Sequence, residues 1–100
     1  MFSWFNQVHK FFIGTNASDL DIKTDGTDKF SGMLVLAAAA TSQSRGFAPA
    51  ASNDVITMNG STKGGLAGST LEVTAIGTDE YLVTGTLLGS GTLATPFADA

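Results

Sequence analysis

The fold is decided by residues 54–97, which read DVITMNG (54–60), STKGGLAGST (61–70), LEVTAIGTDEYLVTGTLLGSG (71–91) and TLATPF (92–97). Short runs rich in Val, Ile, Thr, Leu and Tyr alternate here with glycine-bearing turns. This pattern is typical of a β-meander. Alternation places Tyr81 and Val83 on the opposite side of their strand from Leu82, and residues 93–97 are predicted to form a short terminal strand or arm.

Outward from this stretch, the upstream half also predicts strands. Residues 8–14 are aromatic and β-branched, which favours a strand, whereas 2–7 fit either a helix or a strand. Leu20 and Ile22 alternate with polar residues, and Asp25-Gly26 is a hairpin signal that predicts pairing with a strand over 30–40. The four alanines at 37–40 leave a helical extension as an alternative. Residues 41–53 lack periodicity and are predicted to be a loop fixed to the body by Phe47.

Length and composition predict a single all-β domain over residues 1–100. A chain of 100 residues buries roughly two-thirds of its unfolded surface, which supports a modest core. The 14% of charged residues and 12 glycines suit strands and tight turns better than surface helices. We expect a small antiparallel β-sandwich or a partly open, jelly-roll-like barrel, with an aromatic N-terminal strand or arm at 1–13 and the meander at 54–97.

Charge and hydropathy argue against nucleic acid and membrane partners. The net charge is −4, and the five cations are scattered along the chain at Lys10, Lys23, Lys29, Arg45 and Lys63. The longest apolar run, MLVLAAAA at 33–40, is far shorter than the roughly 20 residues of a membrane span. The apolar N-terminus lacks the features of a signal peptide. We therefore expect a soluble protein.

No constellation in the sequence predicts catalysis or a cofactor. The chain has no cysteine and one histidine, His9, which lies among aromatic residues without a partner at a ligand spacing. No serine lies in a nucleophile elbow. The glycine-rich segment 64–70 lacks the lysine and the following helix of a phosphate-binding loop. We predict that the protein is not an enzyme, has no catalytic or metal-binding residues and needs no cofactor.

The densest group of carboxylates leaves one alternative open. Clustered aspartate oxygens around a glycine turn can bind Ca²⁺. The EF-hand pattern fails, however, because Lys23 and Gly32 stand where ligands are required. Solvated strand and turn carboxylates are the preferred interpretation, and Ca²⁺ binding is the alternative. The four residues concerned are Asp19, Asp21, Asp25 and Asp28.

The second half of the chain contains a series of short motifs: D-x-I-T-x-N-G at 54–60, T-x-G-G-L-A-G at 62–68, L-E-V at 71–73, V-T-G-T-L at 83–87 and G-S-G-T-L-A-T-P-F at 89–97. In these motifs the chain resembles the small head decoration, or cement, proteins of tailed bacteriophages. Upstream, FFIGTN at 11–16 and FAPAASND at 47–54 are also similar. Such proteins usually begin with further strands before the segment that matches 11–15. We therefore expect a neighbouring subunit to complete the sheet.

The resemblance implies a virion structural protein, made in the host cytoplasm, that lies on the outer surface of the capsid. Its implied partners are the major capsid protein and copies of itself, with a trimer favoured. Apolar side chains should provide its contacts because aromatic side chains often contribute most of the binding free energy of an interface. The candidate interface residues are Phe2, Trp4, Phe5, Phe11, Phe12, Leu93 and Phe97. A receptor- or glycan-binding module of a phage fibre or tail tip is the alternative function.

Overall fold

The computed structural model describes residues 8–16, 19–24, 28–38, 42–77 and 79–99. These residues form strands and no helix, which confirms the predicted all-β class. The predictions for residues 2–7 lie outside the described residues. In chain order the strands are β1 (Val8–Phe12), β2 (Leu20–Lys23), β3 (Lys29–Gly32), β4 (Leu34–Ala38), β5 (Gln43–Phe47), β6 (Val55–Met58), β7 (Thr70–Gly77), β8 (Glu80–Leu88) and β9 (Phe97–Ala98).

Six strands form a large sheet in the order β1-β7-β8-β4-β5, and β3 also pairs with β8. The β7–β8 hairpin is antiparallel, as is the pairing of β1 with β7. By contrast, β3 and β4 run parallel to β8 in one register, with Phe30 opposite Tyr81 and Leu36 opposite Leu87. The sheet is therefore mixed, whereas the sequence predicted antiparallel pairing throughout.

The β7–β8 hairpin follows the alternation that the sequence predicts. In β7, Leu71 and Val73 are buried while Thr70 is exposed. In β8, Val83 and Leu87 are buried while Leu82 is exposed. Because successive side chains of a strand point to opposite faces, one face of the hairpin covers the core and the other faces outward.

A small sheet of β2-β6-β9 completes the architecture. Ile56 and Met58 of its central strand are fully buried and join the core cluster that includes Leu36 and Leu87 of the large sheet. The fold is thus a two-sheet sandwich with open edges rather than a closed barrel. The predicted meander is wrong for its first strand, because β6 lies in the small sheet and does not pair with β7.

The predicted hairpin around Asp25-Gly26 is also wrong. The strands that flank this turn lie in different sheets, since β2 pairs with β6 and β3 pairs with β8. Leu20 lies opposite Met58, and Ile22 lies opposite Ile56, so the apolar half of β2 is matched to β6. These long-range apolar pairs outweigh a local turn signal. The turn residues 25–27 themselves lie outside the described residues.

Residues 43–47 form β5, although the sequence predicted a loop. This strand is an edge strand whose side chains are exposed up to the half-buried Phe47. An exposed edge strand has no buried face, and hence no alternation of apolar and polar residues marks it in the sequence. The prediction that Phe47 fixes this segment to the body is confirmed, because its ring packs against the core.

Upstream, Ala37 and Ala38 belong to β4, not to a helix.

The C-terminal segment is fastened to the body by backbone and side-chain hydrogen bonds. The N–H of Thr57 donates to the carbonyl of Pro96 at 2.7 Å. The Asp99 carboxylate accepts hydrogen bonds from Ser52 Oγ at 3.0 Å and from Asn53 Nδ2 at 2.8 Å. β9 pairs only with β6 and is therefore an edge strand of the small sheet. An edge strand tolerates the neighbouring proline, Pro96.

Candidate interaction surface

The large sheet presents one face to solvent, and we call it the outer face. Along β1, the side chains of Val8, Lys10 and Phe12 lie on this face, because His9 and Phe11 between them point to the other side. Cross-strand pairing extends the face over β7, β8 and the junction of β3 with β4. Its side chains include Val8, Lys10, Phe12, Met33, Thr70, Glu72, Thr74, Leu82, Thr84 and Thr86.

Large apolar side chains stand exposed on the outer face. Phe12 is 72% exposed, and Val8 and Met33 are each 50% exposed. Leu82 of the neighbouring strand is 36% exposed. Four threonines separate these side chains, so the face combines apolar groups with small polar groups. These four apolar side chains share one face with threonines between them, and we take this face as the candidate interaction surface.

One ion pair lies on this face. Lys10 Nζ and Glu72 Oε1 are 3.7 Å apart on adjacent strands, and both side chains are about half exposed. An exposed pair of this kind contributes only about 0.2–1 kcal/mol to stability, so it is easily rearranged by a partner. Beside it, Phe12 and Thr70 border a shallow hollow of about 240 Å³ that Gly85 also lines.

The candidate interface residues from the sequence have different positions in the structure. Phe12 is exposed on the outer face, as an interface residue requires. Phe11 is half-buried on the opposite face and packs against the core. Phe2, Trp4 and Phe5 lie outside the described residues, and their assignment to an interface stays a prediction.

Leu93 and Phe97 are core residues, in contrast to the prediction that they are exposed handles. Leu93 is only 3% exposed and Phe97 only 5%. The Phe97 ring lies 6.3 Å from the Phe30 ring, so it packs between the two sheets. A side chain that is buried within its own subunit has no surface left to offer a partner. The apolar side chains near the end of the sequence are therefore part of the hydrophobic core.

Met33 and Leu82 are exposed apolar residues that the sequence did not single out. For Leu82, the signal was the alternation in β8, which separates it from Tyr81 and Val83. The alternation assigns the side chains of β8 to two faces. When both faces carry apolar residues, it does not show which face is exposed to solvent. Met33 lies between two short strands that pair with β8 in one register, and it continues their alternation on the face opposite the buried Phe30 and Leu34.

The carboxylates that suggested a Ca²⁺ alternative do not form a ligand cluster in the described part of the chain. Asp28 is buried, at 7% exposure, whereas Asp19 and Asp21 are exposed. Across the described ranges, no group of three or more His, Cys, Asp or Glu side chains is placed to hold a metal ion. Asp25 is outside these ranges. His9 is half-buried opposite Val73, within the β1–β7 ladder.

The glycine-rich loop before β7 has a structural use. Ser69 is fully buried; its Oγ donates to the Leu66 carbonyl at 2.8 Å and accepts the Leu88 N–H at 2.8 Å. Gly64 has a φ of 83°, and a Cβ there would lie 2.6 Å from Leu87 Cβ. The loop thus packs tightly on β8, and its polar groups are engaged in holding it there.

Comparisons with known proteins identify no relatives. No protein-family model matches the chain, and neither a curated protein nor a solved structure matches it. Among the residues that the structure describes, no helix has the length and apolar character needed to span a membrane. The functional interpretation therefore depends on the resemblance in the sequence and on the surface described above.

Proposed function

We propose that this protein is a structural component of a tailed-bacteriophage head. It binds the outside of the capsid as a homo-oligomer, with a trimer favoured, and stabilises contacts between major capsid subunits. The observation that carries the proposal is the outer face of the large sheet, where Phe12, Met33 and Leu82 stand exposed on a rigid support. The motifs at 54–60, 62–68 and 89–97, which resemble those of head decoration proteins, support the same proposal.

The outer face suits a flat protein partner. It carries exposed apolar side chains, four threonines and one ion pair, so it combines apolar and polar groups as protein–protein interfaces do. Strand pairing already fixes the backbone of β1, β7 and β8, so this part of the face loses little backbone freedom on binding. Low immobilisation cost favours affinity at a given contact area. A net charge of −4 supports solubility before assembly.

Decoration of a capsid does not require strong binding by each contact. A shell offers many identical sites, and a homo-oligomer that engages several at once gains affinity through effective concentration. A domain with a modest contact area per copy can then remain attached. Because the two sheets pack on a common core, the domain can hold neighbouring shell subunits at a fixed distance from one another.

The proposal is tested by rebinding to heads that lack the chain. Purified protein is titrated onto such heads from the phage whose genome encodes it, and bound protein is separated by sedimentation. We expect the Phe12→Ser variant to bind about 30-fold more weakly than the native protein, because an aromatic anchor is worth ~2 kcal/mol. The matched control is Lys23→Ser, an exposed residue on β2 of the small sheet.

Unchanged binding of Phe12→Ser, with the loss confined to Lys23→Ser, would show that the outer face is not the attachment surface. Absence of binding by the native protein at micromolar concentration would contradict a decoration role. If the protein instead binds tails or host cells, the alternative of a receptor- or glycan-binding module replaces the proposal.

A further inference from the structure

Strand β1 forms one free edge of the large sheet in the described part of the chain. The Ile13 N–H donates to Ser69 at 2.9 Å, and the Ile13 carbonyl accepts from Gly68 at 2.8 Å, so Ile13 bonds towards β7. Backbone groups alternate in direction along a strand. The N–H and C=O groups of Phe12 and Lys10 therefore point away from β7. No described residue bonds to them.

Strand β5 forms the free edge at the opposite end of the strand order β1-β7-β8-β4-β5 among the described residues. The Ala37 carbonyl accepts from Gly89 at 2.8 Å, which directs Ala37 towards β8 and its neighbours Leu36 and Ala38 towards β5. Their partners in β5 are Arg45 and Gln43. By the same alternation, the N–H and C=O groups of Ser44 and Gly46 point outward.

The two edges are complementary in direction. β1 runs antiparallel to β7, β7 antiparallel to β8, β8 parallel to β4, and β4 antiparallel to β5. The two edge strands hence run in opposite directions. When a second copy continues the sheet in the same orientation, its β5 meets β1 as an antiparallel neighbour, which is the more stable type of pairing.

The two edges also match in the face that their side chains occupy. The outward-bonding residues of β1, Lys10 and Phe12, carry side chains on the outer face. In β5, Ser44 and Gly46 lie opposite Ala37 and Val35, and a Cβ at Gly46 would point at Met33 Sδ, which is on the outer face. Residues that exchange hydrogen bonds across an antiparallel pair have side chains on one face, so the outer faces of two copies coincide.

Side chains favour pairing between unlike edges over pairing of like edges. If two β1 strands paired in full overlap around a twofold axis, Lys10 would face its own copy, and like charges directly opposite are destabilising. Two β5 strands would bring Arg45 against Arg45 in the same way. Between β1 and β5, Lys10 is on the outer face and Arg45 is on the inner face, where it lies over Phe47.

We propose that copies of this chain associate head-to-tail, with β1 of one copy paired antiparallel to β5 of the next. Phe12 then lies opposite Ser44 of the partner copy, and Lys10 lies opposite Gly46 of the partner copy. The exposed Phe12 ring then lies on the same face as Met33 of the partner copy, whose sulfur occupies the space beside Gly46. Such an interface is heterologous, and it closes into a ring when the rotation between copies permits.

This pairing joins the outer faces of successive copies into one continuous surface. It requires only the chain itself, so it stands whether or not the chain binds a capsid. The pairing specifies how the homo-oligomer of the proposed function forms, and in that respect it rests on the proposed function. A chain that cross-links but does not bind heads contradicts the capsid role alone, whereas a monomeric chain that binds heads contradicts self-association but not capsid attachment.

Disulfide trapping tests the pairing cleanly because the native chain has no cysteine. Directly opposed Cα atoms in a hydrogen-bonded antiparallel pair lie about 5.5 Å apart, within the range that a disulfide spans. We expect the double variant Phe12→Cys/Ser44→Cys to form covalent multimers under mild oxidation, as seen by non-reducing electrophoresis. Both side chains are exposed, so the fold should tolerate the changes.

The single variants Phe12→Cys and Ser44→Cys are the matched controls, and each should remain monomeric on the same gel. Light scattering of the native protein should give a multiple of 10.2 kDa. The single variants Lys10→Cys and Arg45→Cys probe pairing of like edges, because full overlap brings each of these residues opposite its own copy. Efficient dimer formation by either of them would indicate pairing of like edges and overturn the proposal. A native mass of 10.2 kDa together with a double variant that does not cross-link would overturn it as well.

Discussion

Replacement of Phe97 by alanine is expected to lower the free energy of unfolding by about 3–5 kcal/mol. The side chain is 5% exposed and packs against Phe30 in the core between the two sheets. Its loss removes a large apolar group and leaves a cavity that the surrounding strands fill only in part. Because domains of this size are stable by about 5–15 kcal/mol, much of the total is lost. Urea denaturation followed by circular dichroism measures the change.

The matched control is Phe12→Ala, in which the same side chain is removed from an exposed position. Phe12 is 72% exposed, so we expect a change within about 0.5 kcal/mol. The two substitutions separate a core residue from a surface residue. Equal destabilisation by both, or a neutral Phe97→Ala, would show that the chain end does not close the core.

Replacement of Gly85 by alanine is expected to destabilise the protein by about 3 kcal/mol. Gly85 has a φ of 150° and lies in the middle of β8, opposite Leu71. A Cβ at this position would lie 2.4 Å from the Thr70 carbonyl oxygen and 2.6 Å from Leu71 Cα. Both contacts are with the backbone, so the β7–β8 ladder would have to shift. The midpoint of thermal unfolding should fall accordingly.

Gly77→Ala is the control within the same hairpin. The nearest atom to its added Cβ is Glu80 Oε1 at 3.8 Å, an ordinary van der Waals distance at the far end of a flexible side chain. The stability should change by less than about 1 kcal/mol. A Gly85→Ala variant as stable as Gly77→Ala would contradict the close approach of β7 and β8.

Local pattern was sufficient to predict individual strands. In β7 and β8, the period of two in the sequence matches the burial of Leu71, Val73 and Val83, because one face of the hairpin lies on the core. The half-buried alternation of Leu20 and Ile22 likewise identifies β2. These features depend on neighbours in sequence, which a single sequence shows directly.

Partner choice could not be predicted because it depends on residues that are distant in the chain. The parallel pairing of β3 and β4 with β8 joins residues such as Phe30 and Tyr81, and no turn signal marks such a pair. One local signal led to a wrong prediction: Asp25-Gly26 predicted a hairpin between two strands that lie in different sheets. β5 was missed because four of its five residues are exposed, so no apolar periodicity marks it.

The candidate surface could be predicted only in part. The sequence indicates apolar side chains at Phe12, Leu93 and Phe97, but it does not show which of them covers the core. Burial depends on the three-dimensional partners: Phe97 has Phe30 beside it, whereas Phe12 lies on an edge strand beside the small side chain of Thr70. The outer face itself, with Met33 and Leu82, emerges only when β1, β3, β7 and β8 are brought into one sheet.

Electron cryo-microscopy of purified particles tests the proposed function most directly. Particles of the phage that encodes this chain should show density for a two-sheet domain at repeated lattice positions outside the shell. The outer face with Phe12 and Met33 should lie against the major capsid subunits. Particles that lack this density, or that carry the chain only in a few copies at the tail, would contradict the proposal that it is a capsid decoration protein.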